Sequence, residues 1–236
     1  MLPREARLTE RHAGHAARAL TLTGPSTQED LAGVIAASGI KDEVLLQAFR
    51  DVPRAGFVPP AERRYAYLDS PLPIPHGQVT TQPSLIAKMI EPLQLAPRDR
   101  VLEIGTGHGF QTALLARLAG LVWSVERWPD LARTARDNLA RHGIDNAEVV
   151  IGDGSLGLPG RAPFDAIVVS AAFPRVPGPL AEQLAEGGRL VHPVGGGGKE
   201  DVVLFSRQEG ELRSRRRLTG AHFVRLYGTH AFPAEE

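Results

Sequence analysis

The sequence contains no cysteine, which excludes disulfides and thiolate chemistry. It carries no net charge: 27 Lys and Arg balance 27 Asp and Glu among 236 residues, so no chain-wide field favours nucleic acid or an anionic membrane. No uninterrupted apolar run approaches the roughly 20 residues that a transmembrane helix requires. The opening stretch, residues 1–15, mixes acids and bases before any apolar segment, unlike a secretory signal. Internal repeats are missing. The eight histidines are scattered, with no i, i+4 pair beside an acid, so no metal site is expected. What is present is an ordinary globular composition, 42% hydrophobic and 23% charged, in a chain long enough to bury one core. The 25 Gly and 19 Pro imply many turns. The expectation is a soluble, cytoplasmic, monomeric protein without nucleic-acid or membrane partners.

Residues 1–25 lack a clear apolar face and end in Gly24-Pro25, so they read as a mobile or loosely packed extension, with a surface helix as the alternative, to a domain spanning 26–236. Ser26 with Glu29 makes a capping-box pattern before Leu31, Val34 and Ile35. A second amphipathic helix, with Val44, Leu45, Ala48 and Phe49 on one face, stops at Val52-Pro53. Residues 53–83 read as irregular, and Pro83 opens a helix whose inner face is Leu85, Ile86, Met89, Ile90 and Leu93. Residues 26–95 of the domain therefore read as a helical region packed on an α/β core that spans 96–236.

In that core the rhythm changes. Short β-branched runs at 100–105, 121–126, 147–153, 164–171 and 189–195 alternate with helical patterns at 109–119, 129–142 and around Leu180–Leu184. Near-continuous apolar strands separated by helices require a parallel sheet covered on both faces. The runs 202–205, 211–218 and 221–228 follow without helices and predict antiparallel strands. The fold class is α/β: a doubly wound, mostly parallel, Rossmann-like sheet with an N-terminal helical region and antiparallel C-terminal strands.

The strongest chemical signal is Glu103-Ile104-Gly105-Thr106-Gly107-His108-Gly109 at the end of the first core strand. Glycines there allow a sharp turn and a close backbone approach to a ligand at a helix N-terminus. The dinucleotide fingerprint Gly-x-Gly-x-x-Gly is not met, because position 110 is Phe and the third glycine is Gly109. A loop packed under an adenosyl group suits that spacing better, while an ordinary strand-to-helix turn is the alternative for the loop alone. Glu126 ends the second strand, where a carboxylate can accept from ribose hydroxyls, and Asp153 in Gly152-Asp153-Gly154 ends the third, where it can receive the adenine amino group. Three such strand ends on one sheet edge point together to an adenosyl cofactor. The run Arg213-Ser214-Arg215-Arg216-Arg217 reads as the solvated face of an edge strand rather than a nucleic-acid patch. Trp128, just beyond Glu126, either flanks the adenine or packs in the core.

From about Leu31 to Tyr227 the chain resembles the protein-L-isoaspartate O-methyltransferase family. The motifs are Val52-Pro53-Arg54, Phe57-Val58-Pro59, Ala66-Tyr67-x-Asp69, Pro71-Leu72-Pro73-Ile74 and Gly77-Gln78-Val79-Thr80-Thr81-Gln82-Pro83, the last similar to the family's Gly-Gln-Thr-Ile-Ser-Gln-Pro. Val101-Leu102-Glu103-Ile104-Gly105-Thr106-Gly107, Gln111-Thr112-Ala113, Gly152-Asp153-Gly154, Pro163-Phe164-Asp165-Ala166-Ile167 and Gly187-Gly188-Arg189-Leu190-Val191 follow. The glycine loop is shared by many methyltransferases; the segment Gln78–Pro83 is far more specific.

The resemblance implies a class I methyltransferase fold and methyl transfer from S-adenosyl-L-methionine, giving S-adenosyl-L-homocysteine, to the α-carboxylate of L-isoaspartyl residues in damaged proteins or peptides. The ester then collapses to a succinimide that hydrolyses partly to aspartate. The rival reading is a related carboxylate methyltransferase for a dedicated peptide, or an RNA or small-molecule methyltransferase. The resemblance also implies Glu103, Gly105, Thr106, Gly107, Gly109, Glu126, Asp153 and Gly154 as cofactor residues, with Thr80, Thr81 and Val224 at the substrate and no metal. Thr81 stands where the family has its active-site serine; it either positions the substrate carboxylate or caps the helix that begins at Pro83. The chain departs from the family at Thr80-Thr81, Pro75-His76, His108, Phe110 and Arg225. His108, at a helix N-terminus, is expected to be a neutral wall of the cofactor loop.

Overall fold

A computed structural model describes residues 26–233, so the expected extension at 1–25 lies outside the described residues. The N-terminal region contributes α1 (Gln28–Ala37) and α2 (Glu43–Asp51). The capping box starts α1 one residue later than the sequence pattern suggested. Thr27 accepts from Asp30 N, and the Asp30 carboxylate accepts from the Thr27 amide at 3.0 Å, so Asp30 and not Glu29 closes the box. Asp42 caps α2 by accepting from Val44 N and Leu45 N. Residues 53–83 are more ordered than expected. Two 3₁₀ turns, Arg54–Phe57 and Pro60–Tyr65, lead into a hairpin of β1 (Leu72–Ile74) and β2 (Gln78–Thr80), after which Pro83 opens α3 (Pro83–Ile90).

The core follows as β3 (Arg100–Ile104), α4 (Phe110–Leu118), β4 (Leu121–Glu126), α5 (Pro129–Arg141), β5 (Ala147–Ile151), β6 (Phe164–Val169), α6 (Gly178–Gln183), β7 (Leu184–Val194), β8 (Glu200–Gln208) and β9 (Glu211–Ala221). The sheet order is β5-β4-β3-β6-β7-β8-β9, parallel as far as β7 and antiparallel from there to the β9 edge. The fold class matches the sequence reading. The third antiparallel strand does not form: residues 221–228 turn back across the carboxyl edge of the sheet, where Ala172 N donates to Val224 O and Leu226 N to Ala172 O. The arginine run occupies the outer strand β9 and is exposed, as expected of a solvated edge.

Strand parity divides the interior. Val101, Val122 and Val149 pack under α1–α5, together with Phe49, Phe57 and Phe110, while Leu102, Ile104, Trp123 and Val125 face the opposite layer with Phe164, Leu180 and Leu190. No helix among the described residues is long and apolar enough to cross a membrane.

Candidate active site

The sheet order reverses between β3 and β6, and a crevice outside the carboxyl ends of the strands belongs at such a switch point. A cavity lies there, lined among others by Ile74, Thr106, Glu126, Trp128, Ser170 and Val224. Its atom-free space, counted out to the solvent at its mouth, is about 940 Å³. Gly105, Gly107 and Gly109 adopt φ of 95°, 56° and 89°, which explains why three glycines are needed in this loop. At Gly154 a Cβ would lie 2.4 Å from the side chain of Ile104, so only glycine lets the two strand ends meet at the cavity wall.

Of the expected cofactor residues, Gly105, Thr106, Gly107, Glu126 and Gly154 line the cavity. Glu126 accepts from Gly107 N at 2.9 Å and Trp128 N at 3.0 Å. Burial raises its pKa, and the amides of Trp128 and Gly107 oppose that rise. Gly109 does not line the cavity; it caps α4 and packs against Ala135.

Two expected ligands are placed elsewhere. Glu103 points away from the cavity, because its position in β3 has the parity of Val101 and directs it beneath α4. There it accepts from Ser124 Oγ at 2.6 Å, Gln111 Nε2 at 3.0 Å and Thr112 Oγ1, and complete burial raises its pKa to about 7 against those donors. The Asp153 carboxylate is also turned from the cavity. It takes the Thr229 amide at 2.7 Å and the Ser155 hydroxyl at 2.6 Å, so it fastens the C-terminal segment to the sheet. Burial alone would raise its pKa; the Ser155 and Thr229 donors outweigh that and hold it low.

On the substrate side, Thr81 lines the cavity and makes no hydrogen bond to another described residue. The capping alternative is not realised: Gln82 is the N-cap of α3 without a side-chain cap bond, and Asp69 accepts the Ser84 amide at 2.8 Å instead. Thr80 sits at the cavity wall with its hydroxyl turned inward, accepting from Leu72 N and from Arg54 Nη2 at 3.0 Å. Val224 lines the cavity from the returning C-terminal segment. His108 lines it too, and burial lowers its pKa so that it stands neutral.

Sequence reasoning missed three contributors. Arg54 is fully buried and donates to Ala66 O, Leu68 O, Ser70 O and Thr80 Oγ1, tying the 66–70 loop to the hairpin; burial lowers its pKa to about 10. Ser170, just past β6, accepts from Gln111 Nε2 at 3.0 Å and lines the cavity beside Thr81. Its place beyond the strand next to the switch point was the available signal. The third is the β1–β2 tip, where His76 stacks on Trp128 at 3.9 Å and its Nε2 lies 2.8 Å from Asp130.

A second cavity adjoins the first. Val79, Thr81, Ser170 and Val224 line both, so a molecule in one meets a molecule in the other at these four residues. Two buried polar atoms of wall residues, Gln111 Oε1 and Trp128 Nε1, have no partner among the described residues, which suits an incoming polar ligand. Among the described residues no group of three or more His, Cys, Asp or Glu is placed to hold a metal ion.

The family model described as protein-L-isoaspartate(D-aspartate) O-methyltransferase (PCMT) matches residues 26–231. The protein-L-isoaspartate O-methyltransferase of Methanoculleus marisnigri is 52% identical over 201 residues, covering 85% of this chain and 91% of that one. The enzyme of the same name from Roseiflexus sp. is 50% identical over 197 residues, covering 84% and 90%. A solved protein-L-isoaspartate O-methyltransferase superposes with a TM-score of 0.77 at 30% identity, over 87% of this chain and 67% of its own. A Plasmodium falciparum structure in complex with S-adenosyl-L-homocysteine shares the fold at a TM-score of 0.75 and 24% identity, over 85% and 98%.

Proposed function

The chain belongs to the protein-L-isoaspartate O-methyltransferase family, and from that premise we propose how its residues carry out methyl transfer from S-adenosyl-L-methionine to the α-carboxylate of L-isoaspartyl residues in damaged proteins and peptides. The observation that carries the reading is the junction of the two cavities at Thr81 and Ser170, one side shaped for a cofactor and the other open to a peptide.

The wall residues fit the cofactor, which supplies an activated methyl group. The Gly105–Gly107 backbone would hold its amino-acid end, Glu126 would accept from its ribose hydroxyls, and Trp128 would flank its base. Asp153 contributes through the segment it fastens, which carries Val224 across the cavity.

The substrate needs no general base. A carboxyl group with an ordinary pKa of about 4 is ionised at neutral pH and is its own nucleophile. The protein's task is to orient that oxygen and keep water out. Thr81 Oγ1, which has no partner among the described residues, donates to the carboxylate. Ser170 Oγ is already an acceptor for Gln111, so its own proton is directed elsewhere and serves as a second donor. One hydrogen bond from each fixes the carboxylate without lowering its charge. Glu103 acts at one remove, gripping Gln111 as Gln111 grips Ser170.

In this reading the enzyme is cytoplasmic, since a chain without cysteine depends on no oxidising compartment. Labelled methyl transfer offered to an isoaspartyl peptide, its aspartyl twin and bulk RNA tests the assignment. Base-labile label on the isoaspartyl peptide alone is expected; label on RNA alone refutes it.

A further inference from the structure

The second cavity extends past Thr81 between α3 and the end of β9. Its α3 wall is Ser84, Leu85 and Lys88, and its opposite wall is Thr219–Val224. Atom-free space out to solvent is about 970 Å³, room for several residues of peptide rather than the isoaspartyl side chain alone.

The charged side chain that lines it is cationic. Among the described residues, Lys88 and His222 are the titratable side chains that line it, and no Asp or Glu does. Lys88 is half-buried and has no hydrogen-bond or ion-pair partner among the described residues. The side chains of Lys199 and Arg217 lie against Gly220 on the far wall, where an added Cβ would meet them at 2.8 and 3.1 Å. The nearby carboxylates are all engaged. Asp69 is held by Gln82 and the Ser84 amide, Glu200 by the Phe223 and Gly197 amides, and Asp201 by Arg217 at 2.6 Å. A half-buried ammonium without a counter-ion, in a groove continuous with the reaction site, calls for a carboxylate from the ligand.

We propose that this groove is a subsite for a carboxylate of the substrate peptide, with Lys88 as its principal contact, so that the protein prefers isoaspartyl sites flanked by an acidic group. This rests on the methyl transfer proposed above. Lys88 lies five residues beyond Pro83, about 7.5 Å of helix rise, which corresponds to two or three residues of extended peptide from the isoaspartyl. The carboxylate comes either from an Asp or Glu side chain or from the peptide's own C-terminus.

The test measures kcat/KM for isoaspartyl peptides with amidated ends carrying Glu, Gln or Lys two or three residues to either side, and for the Gln peptide with a free C-terminus. In the wild type the Glu peptide is expected to exceed the Gln peptide about fivefold, mainly through KM, and the advantage shrinks in high salt. In Lys88→Ala the ratio falls to about one, and in Lys88→Glu the Lys peptide becomes the preferred one. An inversion is something a merely structural lysine does not produce. If the free C-terminus carries the advantage and Glu does not, the carboxylate is terminal and the subsite stands. Equal ratios for all peptides in wild type and variants overturn the subsite while leaving the reaction intact. Failure of the wild type to methylate any isoaspartyl peptide removes the reaction itself, and the subsite with it.

Discussion

Thr81 and Ser170, from segments 89 residues apart, both line the junction of the two cavities, and their environments separate their tasks. Ser170 is oriented by Gln111, whereas Thr81 has no hydrogen-bond partner among the described residues and can turn toward a ligand. A hydrogen bond to a charged group is worth roughly 1.5–3 kcal/mol, or about 10- to 100-fold in rate when it is made to the reacting carboxylate. Thr81→Ala is therefore expected to lower kcat/KM for an isoaspartyl peptide by that factor, and Thr81→Ser to remain within a few-fold of wild type. Single-turnover methylation of both variants checks this; full activity in the alanine variant would leave Thr81 only a wall residue.

Among the elements, the β1–β2 hairpin depends on a residue far from it in sequence. Arg54 reaches three carbonyls of the 66–70 loop and the Thr80 hydroxyl, and so sets where the strand leading into Thr81 lies. Its guanidinium is costly to bury, which the pKa of about 10 reflects, but removing it strands four acceptors. Arg54→Met is expected to lose about 3 kcal/mol, roughly 6–12 °C in Tm for a chain of this size, together with activity. Arg54→Lys should fall between, since an ammonium cannot reproduce the forked contacts. Scanning calorimetry beside the methylation assay measures both effects.

For the whole molecule, Glu103 couples folding to protons. The folded protein keeps its carboxyl protonated up to about pH 7, while an unfolded chain releases that proton near 4.5. Folding therefore takes up a proton between those values. The stability this provides is complete below pH 4.5 and is lost as pH rises through about 7. Glu103→Gln removes the titration. From pH 4.5 to 8 the variant is expected to gain up to about 3 kcal/mol relative to wild type in urea unfolding. A difference that does not change with pH would show that Glu103 is ionised in the fold.

Local patterns made much of this protein legible. The alternation of apolar strands and helices, the glycine spacing at 105–109, Pro83 at a helix start and the Gln78–Pro83 motif are set by contacts within a few residues, and the fold class and the family followed from them. Tertiary structure decided which strand-end acids face the cavity. Glu126 does, Glu103 lies under α4 by strand parity, and Asp153 is claimed by Thr229, 76 residues away. It also decided that residues 221–228 close the site instead of extending the sheet, and that Arg54, Gln111 and Ser170 take part. The physical reason is range: periodicity and capping report nearest neighbours, whereas a buried polar group's partner is chosen by whichever distant segment packs against it.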